Sequence, residues 1–201
     1  MESTERWSRV FALSRSPLSQ DLLSFLTEEQ RSRIQHVSID LSGSAEQIAQ
    51  ALRKSHVSAE YVFYYAYIAP KTDKSAMDPS TVGDLVESNV SPFEAFLNAL
   101  PIAGIKPKRI LLQTGGKNYG MHIGRVRTPL VESDPQPRHL SPNFYYKQED
   151  LLRSFCEANP QTSWNMIRPA GVVGSTEYGS MNTFLTFGLY AATQAHKGLA
   201  I

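Results

Sequence analysis

The sequence has almost nothing with which to staple itself: one cysteine, Cys156, in 201 residues. A single thiol excludes an internal disulfide framework and a cysteine-rich zinc site. Charge of one sign is also lacking, with Lys plus Arg at 20 and Asp plus Glu at 19, a net charge of +1. That balance gives no electrostatic reason to expect nucleic acid or an anionic membrane as partner. No stretch approaches the ~20 apolar residues of a membrane helix. The longest apolar runs are 62–69 and the broken stretch 184–192. The first six residues carry both signs of charge and no apolar run follows, so they do not read as a signal peptide. A cytoplasmic protein is the default expectation. No Gly-x-Ser-x-Gly elbow anchors a hydrolase reading. Nor is there a Gly-x-Gly-x-x-Gly turn: the first glycine is Gly43, and Gly171-Val172-Val173-Gly174 is too sparse and too late to substitute.

What is present is an ordinary globular composition, 41% hydrophobic with 12 Gly and 12 Pro, in a length suited to one domain. Strand patterns alternate with helical ones. Residues 9–15, 36–40, 61–67, 109–114 and 163–169 read as strands, and 45–55, 82–100, 144–158 and 181–195 as helices. Residues 61–67 are apolar on both faces, as a buried parallel strand should be. Pro92 predicts a kink or a late start in the 82–100 helix. Residues 119–142 are polar and proline-bearing and read as a long surface loop, a length at which loops are usually functional. This alternation predicts an α/β fold with a doubly wound parallel sheet. Such sheets bind ligands beyond the carboxyl ends of their strands, which directs attention to Arg15, Asp40, Tyr67, Thr114 and Pro169. Against a complete doubly wound domain, both ends of the chain read as cut, lacking the first strand with its glycine turn.

Several residues are candidates for chemistry. Lys117 follows the fourth strand, and Tyr145 and Tyr146 open the helix after the long loop. A lysine and a tyrosine so placed fit one pocket, where an ammonium favours the phenolate and tunes the phenol as a proton donor. From position alone, a solvated loop lysine and ordinary aromatic packing are the plain readings of the same residues. Tyr67-Ile68-Ala69-Pro70-Lys71 matches a Tyr-x-x-x-Lys spacing, but Tyr67 ends a strand and Pro70 blocks the helix that would put both on one face. Arg15 reads as a surface arginine or as a contact for the 2′-phosphate of NADP. Asp40 reads as a turn or capping residue, or as an acceptor for an adenine amine. Cys156 reads as a packed thiol. His36, His56, His122, His139 and His196 show no metal-ligand spacing; His122 and His139, in the long loop, read as solvated residues, with entry into a pocket as the alternative.

Three segments together carry a resemblance: Gln113-Thr114-Gly115-Gly116-Lys117-Asn118-Tyr119, Asn143-Phe144-Tyr145-Tyr146-Lys147-Gln148-Glu149-Asp150, and Ile167-Arg168-Pro169-Ala170-Gly171-Val172-Val173-Gly174. Their order and spacing resemble the progesterone 5β-reductase and iridoid synthase-like enzymes, atypical extended short-chain dehydrogenases. Residues 7–15, 37–42, 61–69 and 180–182 fit more loosely. The resemblance implies a partial Rossmann-like, NADP-binding domain over residues 1–201, with the substrate-capping region largely absent. It implies an NADPH-dependent oxidoreductase that reduces activated C=C or C=O bonds of small enone, enal or carbonyl substrates, in secondary metabolism. It assigns Tyr145 and Lys117 to catalysis. Ser14, Arg15, Asp40, Leu41, Ala66, Tyr67, Gln113, Tyr145, Val172, Ser180 and Met181 fall at cofactor positions, and no residue is assigned to a metal. The departures are Asn118 where a histidine is usual, Gly171 where many members have asparagine, and Gly120-Met121-His122-Ile123 where Gly-Pro-Phe is usual. The alternative is a catalytically inactive, truncated member acting as a binding or interaction module. A sugar-nucleotide epimerase or dehydratase on the same fold is a third reading, against which the missing helical Tyr-x-x-x-Lys counts. A homo-oligomer, or a partner chain completing the sheet, is a further expectation.

Overall fold

The computed structural model describes residues 7–69, 72–75, 78–169, 171–173 and 183–199. In chain order the elements are β1 (Val10–Ser14), α1 (Gln20–Ser24), α2 (Glu28–Ser32), β2 (Ile34–Ser38), α3 (Ala45–Lys54), β3 (Tyr61–Tyr64), α4 (Val82–Ile102), β4 (Arg109–Gln113), α5 (Phe144–Ala158), β5 (Ser163–Ile167) and α6 (Thr183–His196). Local chemistry explains most boundaries. Ser44 and Gln47 form a reciprocal capping box at the start of α3, whose Ile48, Ala49 and Leu52 face the core, while Arg53 and Lys54 meet the carboxyl end. Asn143 caps α5 by accepting a hydrogen bond from the Tyr145 backbone N–H.

The late start expected at Pro92 does not occur. α4 begins at Val82 and continues through Pro92 and Pro101 to Ile102. Leu85, Phe93, Phe96, Leu97 and Leu100 are all buried on it, and that packing outweighs the backbone bond each proline removes. α1 and α2 went unread in the sequence because five residues each are too few to show a period.

All ladders are parallel, as the alternation requires. The strands nonetheless form two sheets: β1 pairs with β2, and β3–β4–β5 form a second sheet with β4 central. The expectation of β3 buried on both faces is also corrected. Tyr64 is buried against Phe93 and Phe96, whereas Tyr61, Phe63 and Tyr65 line the opposite face at 43%, 48% and 55% exposure. The core lies on the other side, where α3, α4 and α5 pack over Ile110 and Leu112. Cys156 sits inside this cluster as a buried thiol, its pKa pushed up by burial. No helix among the described residues is long and apolar enough to cross a membrane.

Candidate functional site

Three consecutive strand ends meet at one point. β3 leads to Tyr67, β4 to Gly115, Gly116 and Lys117, and β5 to Pro169. A carbon added at Gly115 would lie 3.7 Å from the Tyr145 hydroxyl oxygen and 3.8 Å from the Pro169 carbonyl oxygen. The phenol of Tyr145 therefore rests against bare backbone at the ends of β4 and β5. After Gly116 the chain makes a short 3-10 turn over Gly116–Tyr119 and leaves it through Gly120 at φ 84°, a left-handed conformation suited to glycine.

Asn143 ties Lys117 to Tyr145. Its amide nitrogen donates to the Lys117 carbonyl oxygen at 2.8 Å, and its amide oxygen accepts from the Tyr145 N–H at 3.0 Å. One buried side chain thus fixes the first turn of α5 against the turn after β4. Tyr67 joins from the third side: its ring lies 5.9 Å from Phe144, which in turn lies 4.2 Å from the Tyr145 ring. The segment after Tyr67 is pinned by Asn89 of α4, which accepts from the Ile68 N–H at 2.8 Å and donates to the Ile68 carbonyl at 2.9 Å. Gln148 of α5 donates to the Asn89 carbonyl at 2.8 Å. Tyr67 lies in an irregular segment after β3, which agrees with rejecting a helical Tyr67–Lys71 pair; Lys71 itself lies outside the described residues.

The electrostatics differ from the sequence expectation. Burial, with a smaller contribution from Tyr67, pushes the Tyr145 phenol up to about 12. The expected drift toward phenolate under the Lys117 ammonium does not occur: burial disfavours the charged phenolate and raises the phenol instead. Burial also lowers Lys117. His122, expected to be solvated, has its Nδ1 buried with no hydrogen-bond partner, and burial together with the Lys117 charge holds its pKa below the ordinary value. His139 is exposed as expected. Among the described residues no cluster of His, Cys, Asp and Glu could hold a metal.

Behind this point lies a buried carboxylate that the sequence reading passed over. Glu149 is 1% exposed. It accepts from Asn118 Nδ2, from Gln136 Nε2 at 2.8 Å and from Arg168 at 3.4 Å. Gln136 also bonds the Asn118 side-chain oxygen, and the Arg168 guanidinium lies over the Tyr119 ring. The network joins the 3-10 turn beside Lys117, the long loop, the end of β5 and α5. The signal was available: Glu149 lies four residues after Tyr145, on the same helix face. Asn118, a departure from the resembled pattern, serves here as a donor to Glu149. Arg138 pairs in two-pronged fashion with Asp150 at 2.7 and 3.0 Å and covers the Tyr146 ring.

The remaining site residues divide into two groups. At the other sheet, Ser14 ends β1 and its hydroxyl donates to the Ser16 carbonyl. Arg15 follows, exposed. Asp40 follows β2; its carboxylate accepts from the Ser42 hydroxyl at 2.7 Å and the Ser42 N–H at 2.9 Å. Those two bonds, with the charge of Arg15 adding to them, hold Asp40 below the usual carboxylate range. A groove of about 390 Å³ opens there, lined by Asp40, Ser42, Gly43 and Gln47. Leu41 packs instead against the core. Around the β3–β4–β5 sheet, Ala66 is exposed beside Tyr67, Gln113 is half-buried at the end of β4, and Val172 is 54% exposed. Ser180 and Met181 lie outside the described residues.

No family model matches the chain. Curated relatives do. A short-chain dehydrogenase from Penicillium aethiopicum is 28% identical over 193 residues, covering 94% of this chain and 46% of the relative. An (S)-8-oxocitronellyl enol synthase from Nepeta racemosa is 30% identical over 173 residues, covering 84% of this chain and 41% of the relative. The chain therefore spans less than half the length of these relatives. Among solved structures, a dTDP-glucose 4,6-dehydratase from Streptomyces venezuelae with NAD bound superposes at a TM-score of 0.60, with 18% identity over 96% of this chain and 54% of that one. The fold is that of the dinucleotide-binding, Rossmann-like domains. Within that class, the chain is a homologue of the short-chain dehydrogenases, on the side that includes the iridoid synthases and a steroid 5β-reductase.

Proposed function

We propose that this chain carries the tyrosine–lysine side of a nicotinamide-dependent reductase site, acting on activated C=C or C=O bonds of small enones, enals or other carbonyl compounds. The observation that carries the reading is the Asn143 bridge, which holds Tyr145 and Lys117 together where β3, β4 and β5 end. The residues suit NADPH at two places. Arg15 stands exposed beside the Asp40 groove, a cation available to a 2′-phosphate with an acceptor nearby for an adenine amine. At the other place, Gly115 presents bare backbone beside the Tyr145 hydroxyl, where β4 and β5 end. Bound NADPH would supply hydride to the β-carbon of an enone or to a carbonyl carbon.

The chain's own residues would do the rest. Tyr145, held neutral by burial, donates a hydrogen bond to the substrate carbonyl oxygen and stabilises the negative charge that develops there. Lys117 orients the ribose hydroxyls and Tyr145 together. Tyr67 and Phe144 form an aromatic wall beside the phenol. Residues 1–201 on this reading are part of a dinucleotide-binding domain.

The split sheet favours a second reading, a non-catalytic binding module. NADPH titration followed by cofactor fluorescence separates the two. Micromolar binding weakened at least tenfold by Arg15→Ala supports the reductase reading, and enone turnover lost in Tyr145→Phe would extend it. Soluble, folded protein with no binding in the millimolar range would sink it and leave the module.

A further inference from the structure

We propose that His122 is an acid-released latch on the Lys117 turn: as a neutral imidazole it lets residues 120–124 fold down over Gly116, and on taking a proton it drives them off. The inference rests on the reductase reading for its consequence, control of that site by pH, and not for its test.

The latch is built around Gly120. The Gly120 N–H donates to the Lys117 carbonyl at 3.0 Å, and the Ile123 N–H donates to the Gly120 carbonyl at 2.8 Å. The chain thus reverses directly after the 3-10 turn and returns over it. Met121 lies across Gly116, so close that a carbon added there would strike its sulfur. A carbon added at Gly120 would come within 2.7 Å of the Pro137 ring. The reversal brings His122 within the electrostatic reach of Lys117, with its Nδ1 shut away from water and unpartnered.

That placement suits one protonation state only. An imidazole with its hydrogen on Nε2 presents just a lone pair at Nδ1, whereas an imidazolium carries an N–H at both nitrogens. In the folded turn the second N–H would be a charged donor buried without an acceptor, which is far costlier than an idle lone pair. The surrounding charges offer no relief. Lys117, on the turn beneath, repels an imidazolium, and Arg125 and Arg127 on its own segment are positive as well. Asp134 is held by Arg127 and the Val131 N–H, Glu149 by Asn118, Gln136 and Arg168, and Asp150 by Arg138. Glu132 is exposed. Among the described residues no carboxylate pairs with His122. The ring therefore takes up its proton by swinging out to water, and the turn leaves Gly116 with it. Because the folded-state value lies below the ordinary 6.5, the folded turn is fully favoured above 6.5 and is lost as pH falls through that lower value.

The test needs no cofactor. In the whole 201-residue chain, the His122 ring signal is identified by its loss in His122→Asn, whose amide is neutral at every pH, and is titrated by NMR. Hydrogen exchange gives amide protection in 116–124 at about pH 7.5 and about pH 5.5, either side of the histidine range, with α3 as reference. The expected result is a His122 midpoint below 6.5, protection of 116–124 lowered about tenfold at the acid pH with α3 unchanged, and no such loss in His122→Asn. Lys117→Met, which removes the neighbouring charge, should move the midpoint up toward 6.5. A midpoint at or above 6.5, protection that does not change, a loss that persists in His122→Asn, or a midpoint indifferent to Lys117→Met would each overturn the latch. Where His122→Asn is already open at the higher pH, the unaltered chain against Lys117→Met decides on the same criteria. NADPH titration at both pH values separates the latch from the reductase reading; it is read against His122→Asn, because a phosphate itself takes up a proton in this range. No binding at either pH sinks the reductase reading and leaves the latch standing. Binding that does not weaken as the turn opens overturns the latch as a control on the site.

Discussion

The two sheets are supported very differently. Beneath β3–β5, Ile110, Leu112, Phe93 and Leu152 are each fully buried, and α3, α4 and α5 close over them. In the β1–β2 pair every residue of β1 is only half-buried, and β2 buries Val37 alone. The difference teaches how each candidate residue is held. Tyr145 and Lys117 stand on a close-packed floor and are locked by Asn143 and the Glu149 network. Arg15 and Asp40 stand on turns that hold themselves, chiefly through Ser42.

The largest effect should come from the floor itself. Phe93→Ala should cost about 3–5 kcal/mol, and Leu13→Ala on half-buried β1 no more than about 2 kcal/mol. Urea unfolding of both variants breaks the comparison if the two costs are equal. Next, Glu149→Ala should cost about 3 kcal/mol, because Arg168 keeps its charge without its carboxylate. Glu149→Gln, which retains an acceptor, should cost less, and exchange in residues 117–138 should rise in both variants. Asn143→Ala removes a helix cap worth about 1 kcal/mol and frees the Lys117 carbonyl; it should loosen the Lys117 turn while leaving the β1–β2 pair unchanged by exchange.

The pH dependence sharpens the contrast further. The Tyr145 phenol titrates near 12 in the folded chain against an ordinary 10.0. Its contribution to stability is fully present below pH 10 and is lost as pH rises toward 12. Tyr145→Phe should therefore flatten the alkaline fall in Tm over that window, as read by thermal melts across pH. The smallest effect belongs to the other sheet: Arg15→Ala should move unfolding stability by no more than about 0.5 kcal/mol, whatever it does to NADPH binding.

Much of the frame was legible before any coordinates. The short strand-like runs placed all five strands, the second of them two residues late, and the Leu151, Leu152 and Phe155 pattern gave α5 its bounds at Phe144 and Ala158. The pairing of Lys117 with Tyr145 rested on the resemblance, since position alone left a solvated lysine open. The Glu149 network was not read, although Glu149 shares a face with Tyr145. Its partners Asn118, Gln136 and Arg168 come from three separate segments, and no spacing along the chain announces them. His122 was misread for a related reason: a loop residue's burial depends on what folds over it.

The sequence by itself determined the order of the strands and the longer helices, their parallel sense, and the residue types at each strand end, because these depend on local propensity and periodicity. The division into two sheets, the exposed aromatic face of β3 and the upward shift of Tyr145 were decided only in three dimensions. Each depends on which surfaces find a neighbour and which lose water, and those are properties of contacts between segments far apart in the chain.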